Sequence, residues 1–130
     1  MKRVTGIGGI FFKAKDPEKL YRWYEKQLGI IREPHGQGAV FRWREGKNSR
    51  PGATAWAAFP KNTRYFRPSR ASFMINYRVA NLDVLLRQLR KAGVWIDGKR
   101  EEGDYGRFAW IMDPEGNRIE LWEPPGKSRR

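Results

Sequence analysis

The chain has no cysteine, and its single histidine is His35. Disulfides, thiolate metal sites and cysteine nucleophiles are thereby excluded, and imidazole chemistry rests on one side chain. That histidine lies in Pro34-His35-Gly36-Gln37-Gly38, a loop by composition, where a solvated histidine is the ordinary reading. No apolar run approaches the roughly 18 residues that a membrane span needs, and no charged and then apolar leader pattern opens the chain. A cytoplasmic protein without a membrane partner is the expectation. Acidic residues are scarce: 14 Asp and Glu against 27 Lys and Arg give a formal net charge of +13 over 130 residues. The cations are spread along the chain rather than gathered in a motif, and no helix-turn-helix, zinc-finger or RNA-binding pattern accompanies them. No specific nucleic-acid partner is expected, only a nonspecific attraction that fades as salt rises. The charge favours an anionic small ligand and disfavours a cationic one.

What the chain does have is a unit that occurs twice. Asp16-Pro17-Glu18-Lys19-Leu20-Tyr21-Arg22-Trp23-Tyr24 through Leu28-Gly29 follows a strand-like run from Ile7 to Ala14. Its echo, Asn81-Leu82-Asp83-Val84-Leu85-Leu86 through Ala92-Gly93, follows Phe73 to Val79. Each helix has an Asp or Asn start signal and a glycine stop. Leu20, Trp23, Tyr24 and Leu28 form an apolar stripe on the first, and Leu82, Leu85, Leu86 and Leu89 on the second; both stripes are read as core. Further strands are expected over Ala39–Arg44, Ala53–Phe59, Val94–Asp97, Arg107–Met112 and Arg118–Glu123, with loops over Gly46–Gly52 and Pro60–Ser69.

The last two strands form a hairpin around Asp113-Pro114-Glu115-Gly116-Asn117, a turn by its chemistry. After it, Arg118, Glu120 and Trp122 alternate with Ile119 and Leu121, so Glu120 points away from the packed face. This hairpin and the doubled unit resemble the vicinal oxygen chelate superfamily, which includes glyoxalases, bleomycin-resistance proteins and extradiol dioxygenases. The resemblance implies an α+β fold in which two βαβββ modules form a cupped, half-open mixed β-sheet barrel with the helices outside. It spans one domain over 1–130, with module one at about 4–60, module two at about 70–124 and a basic tail at 125–130. Relatives of this length commonly pair through their sheets, so a homodimer is implied.

In the superfamily the glutamate of the closing strand ligates a divalent metal, and Glu120 matches it. The other ligand positions fall at Gly9, at Met74 and near Trp56, none of which can ligate. One carboxylate does not hold a catalytic transition metal, so no metal and no cofactor are expected, although backbone carbonyls and water could support a weak hard-cation site. Strand parity then puts Phe11, Met74, Asn76, Arg78, Arg118 and Trp122 around Glu120, together with Trp56 and one of two parity classes: Phe108, Trp110 and Met112, or Arg107, Ala109 and Ile111. The candidate binding set is Phe11, Trp56, Met74, Asn76, Arg78, Trp110, Arg118 and Trp122, and the candidate catalytic residue is Glu120. The leading expectation is a metal-independent binding protein for a hydrophobic or aromatic, anionic small molecule. The alternatives are a glyoxalase-type lyase or isomerase using Glu120 as general base or residual ligand, and an interaction module whose cup is filled. A buried Glu120 requires a cation or hydrogen-bond donor close by in every case.

Overall fold

The computed structural model describes residues 3–34, 38–44 and 51–126. His35, most of the Gly46–Gly52 loop and the last four residues of the basic tail lie outside them. Among the described residues nine elements follow one another: β1 (Val4–Ala14), α1 (Pro17–Leu28), β2 (Ala39–Trp43), β3 (Gly52–Pro60), β4 (Phe73–Val79), α2 (Leu82–Lys91), β5 (Glu101–Gly103), β6 (Gly106–Met112) and β7 (Arg118–Glu123). The strands make one cupped, unclosed mixed sheet in the order β2-β3-β1-β4-β7-β6-β5. Within each module the first and last strands pair in parallel, β1 with β3 and β4 with β7, and the modules join where β1 runs antiparallel to β4. The strand expected at Val94–Asp97 shrinks to a single bridge, Ile96 to Ile111. No described helix is long and apolar enough to cross a membrane.

Both helix starts are capped as the sequence dictates. Asp16 accepts from Lys19 N at 3.2 Å with Pro17 in the first turn, and Asn81 accepts from Val84 N at 3.1 Å. Gly29 ends α1 in the left-handed region at φ 71°, where a side chain would be strained. On α2 the stripe is core: Leu82, Leu85 and Leu86 pack with Val79, Ala109, Ile111 and Leu121 on the outer face of the second module. On α1 the stripe needs correction. Tyr21 is the buried residue, its hydroxyl accepting from Ala58 N at 2.6 Å and donating to Ala58 O at 3.2 Å. Trp23 and Leu28, read as core, are 52% and 61% exposed. The helix turns its Leu20 and Tyr21 side to the sheet, and that rotation leaves Trp23 outside.

The outer face of the first module also claims Trp56. It packs on Phe12, Tyr21 and Tyr24 beneath α1, with ring centroids 5.3, 5.8 and 4.9 Å away. Alternation therefore turns Ala55 and Ala57 toward the cup, and Trp56 does not belong to the ring around Glu120.

Candidate functional site

Four strands bring their inward residues together at the centre of the cup. Asn76 pairs with Glu120 across β4 and β7, and Trp110 pairs with Glu120 across β6 and β7. Of the two parity classes for β6, the one containing Phe108, Trp110 and Met112 thus faces the cup. Glu120 is 3% exposed, and its carboxylate accepts three hydrogen bonds from neutral groups. Asn76 Nδ2 donates to Oε1 at 2.6 Å, Trp110 Nε1 donates to Oε2 at 3.0 Å, and the Tyr65 hydroxyl donates to Oε2 as well. Donors rather than a cation satisfy the buried charge. Burial, and after it the Glu120 charge, holds the Tyr65 phenol above its ordinary value of 10, so it remains a donor throughout the neutral range.

Tyr65 comes from the segment between β3 and β4, which composition marks only as a basic loop. The segment folds into the cup: Phe66 is fully buried against Met74 and Trp110, with Phe11, Phe59, Tyr65 and Phe108 around them. Phe59 and Tyr65 stack at 5.6 Å, and Phe59 meets Phe11 edge-on at the same distance. Phe11, Met74, Asn76 and Trp110 therefore do gather at Glu120, but as a filled interior. Tyr65 and Phe66 were the residues that sequence reasoning missed. Their signal was two adjacent aromatics amid Lys61, Arg64, Arg67 and Arg70, which have to bury somewhere.

Arg118 shares the parity of Glu120 but is directed elsewhere. It is 5% exposed, donates from one terminal nitrogen to Asp97 Oδ2 at 2.9 Å and lies over the Trp110 ring at 5.5 Å. Hydrogen bonds from Lys99 N and from Arg118 hold the Asp97 carboxyl below the usual carboxylate range.

A metal does not fit this centre. Phe11 pairs with Ala57 as Asn76 pairs with Glu120, and Phe11 and Asn76 each stand five residues ahead of their helix cap. Ala57, next to the expected Trp56 position, is thus the module-one counterpart of Glu120. With Gly9 and Met74 at the other two positions, two of the four have no ligating atom, the third offers only a soft thioether, and the oxygens of the fourth are occupied by hydrogen-bond donors. Among the described residues no group of three His, Cys, Asp or Glu could hold an ion.

The remaining two candidates, Arg78 and Trp122, lie further along the same concave face. There the cup opens into a cleft of about 630 Å³, whose walls include Thr5, Arg42, Arg78, Val79, Trp122 and Glu123. That volume lies within the range of small-molecule pockets. Arg78 is mounted in the wall: its Nε donates to Thr5 Oγ1 at 2.7 Å, a terminal nitrogen donates to Thr5 O at 3.3 Å, and the guanidinium lies over the Trp43 ring at 4.8 Å. Trp43 in turn donates from Nε1 to Thr54 Oγ1 at 2.8 Å and lies flat on Gly6 and Gly52, where any Cβ would run into its ring. On the neighbouring strand, in register with Arg78, Trp122 stacks on Phe108 with ring planes 16° apart and donates from Nε1 to Tyr105 O at 2.7 Å, leaving carbon to face the space. The Glu123 carboxylate accepts from Leu82 N at 2.8 Å and lies 3.6 Å from Arg107.

Solved structures of several proteins share this architecture. Methylmalonyl-CoA epimerase from Mycobacterium tuberculosis superposes with a TM-score of 0.62 at 22% identity, over 97% of this chain and 92% of that one. A variant of the Streptomyces coelicolor methylmalonyl-CoA epimerase, in complex with 2-nitronate-propionyl-CoA, gives 0.65 at 18%, over 95% and 99%. A structure described as the NAD-dependent benzaldehyde dehydrogenase of Legionella pneumophila gives 0.53 at 17%, over 90% and 98%. Identity at these levels speaks to the fold alone. No curated protein sequence matches the chain. Residues 9–122 match the glyoxalase-like domain family, a span that begins within β1 and ends one residue before the end of β7. The chain belongs to the glyoxalase-like domain family, within the vicinal oxygen chelate superfamily.

Proposed function

We propose that this protein binds a small organic anion in the cleft between Arg42, Arg78 and Trp122, without a metal, and that Glu120 is an internal structural carboxylate. The observation that carries this reading is the division of the concave face: the Glu120 end is sealed by Tyr65 and Phe66, while the Arg78 end is open and carries a fixed cation beside an apolar indole. Arg42, exposed in the wall, is placed to grip an anion, and the Arg78 guanidinium, already bonded to Thr5 and Pro51, adds its positive charge from a fixed position. The net charge of +13 draws anions toward the molecule from a distance. The Trp122 and Phe108 pair suits a flat or apolar body on the ligand.

The test is a ligand-observed screen of aromatic and aliphatic carboxylates against the matching uncharged alcohols, followed by thermal shift on the hits. The reading requires carboxylates to bind and alcohols not to. Arg42→Gln, at an exposed position in the cleft wall, should weaken a hit by about tenfold or more. Equal response to acid and alcohol would overturn it. The second reading, a glyoxalase-type lyase or isomerase with Glu120 as base, draws support from the epimerases among the structural neighbours. It requires the segment bearing Tyr65 and Phe66 to leave the cup, since a substrate has no route to a carboxylate so enclosed. Turnover of a 2-substituted acyl thioester, lost in Glu120→Gln, would establish that reading in place of the first.

A further inference from the structure

Beside the cleft lies a second hollow of about 460 Å³, lined by Val4, Gly6, Ile7, Trp43, Thr54 and Tyr77, and sharing Thr5 with the cleft as a common wall. Its threonines and its indole are already paired within the protein. The Thr54 hydroxyl accepts from Trp43 and donates to Ile7 O, while the Thr5 hydroxyl accepts from Arg78 Nε and donates to Arg78 O at 3.3 Å. What these residues offer an occupant is largely carbon, and Val4 and Ile7 leave 38% and 42% of their surface to water. Such a groove takes an apolar group rather than a polar one.

We propose that the groove is the tail subsite of the same ligand: an amphipathic monoanion whose charged head lies at Arg42 and Arg78 and whose hydrocarbon tail passes Thr5 into the groove. This inference rests on the cleft being the ligand site. A single charge is assigned because the Glu123 carboxylate is part of the cleft wall and repels a second one. The tail is assigned because the groove begins at the residue that fixes Arg78, so a head held by that guanidinium stands at the entrance. A straight-chain or alkyl-aryl carboxylate has this chemistry.

The experiment is calorimetric titration of the full chain with straight-chain carboxylates from butanoate to decanoate, each below its micelle concentration, repeated on Ile7→Asn, with light scattering on both proteins. Dissociation constants should fall about fourfold for each methylene that enters the groove, and Ile7→Asn should flatten that gradient while butanoate still binds. Equal affinity for butanoate and decanoate overturns the tail subsite and leaves the head reading standing. Failure of every carboxylate to bind overturns both. A wild-type dimer that becomes monomeric in Ile7→Asn, with no chain-length gradient in either protein, assigns the groove to a second copy of the chain and also overturns the proposal.

Discussion

Glu120 owes its tolerance of burial to three neutral donors, and two substitutions separate the carboxylate from its cage. In Tyr65→Phe the charge remains and loses a donor, which costs about 1.5 to 3 kcal/mol for a hydrogen bond to a charged group. In Glu120→Gln the charge goes, and the amide oxygen can still serve Tyr65 and Trp110. Asn76, whose Oδ1 has no hydrogen-bond partner in the buried interior, can turn over and accept from the new amide nitrogen. Urea unfolding should therefore rank Tyr65→Phe as the more damaging change, with Glu120→Gln within about 1 kcal/mol of the parent. The reverse order would mean that the carboxylate and not the phenol holds the interior together. Tyr65 also carries a pH signature. Its phenol is held above 10 in the folded protein, so the folded state keeps a proton that the unfolded chain releases at alkaline pH. Its contribution to stability is complete below about pH 10 and declines as pH rises further. Tyr65→Phe should lose stability less steeply than the parent above that pH, measured by unfolding in matched buffers.

At the scale of elements, the outer and inner faces of the sheet are occupied in ways that periodicity predicts unevenly. The closing hairpin was legible because its determinants are local: Asp113 accepts from Glu115 N at 2.8 Å and Asn117 N at 2.9 Å, which fixes the turn and with it the inward direction of Glu120. Helix α2 was legible because its leucines lie on one side and that side is the buried one. Trp56 was misplaced by a single position, and in a strand one position reverses the face. Trp23 was misplaced because α1 carries apolar residues on more than one side, and the choice between them is made by Tyr21 reaching the backbone of Ala58. The Tyr65 and Phe66 plug was not legible, since its position depends on contacts with β4 and β6 that no local pattern encodes. These assignments give stability effects of very different size for two tryptophans. Trp56→Ala should cost about 3 kcal/mol or more through the space it leaves under α1. Trp23→Ala should stay within about 1 kcal/mol. Thermal unfolding distinguishes them, and a larger loss at Trp23 would mean that α1 is rotated from the orientation described.

For the whole molecule, the superfamily's doubled unit has been kept while its shared centre has changed chemistry. Gly9, Ala57 and Met74 stand where ligands would be needed, and hydrogen bonds from the chain itself occupy Glu120. Protein dialysed against zinc or nickel and then against buffer should retain well below one equivalent by elemental analysis. Stoichiometric retention abolished by Glu120→Gln would contradict the donor chemistry argued for the cup. With the inner end closed, the proposed binding site is the outer end, where Arg78 is braced by Thr5 and Trp43 and stands beside Trp122. The most direct measurement is titration calorimetry of one bound carboxylate against three proteins: the parent, Arg42→Gln and Glu120→Gln. Binding in the outer cleft predicts that Glu120→Gln keeps the parent's affinity within about twofold, while Arg42→Gln loses about tenfold or more. Loss of binding in Glu120→Gln with Arg42→Gln unaffected would place the ligand at the sealed centre and contradict the account.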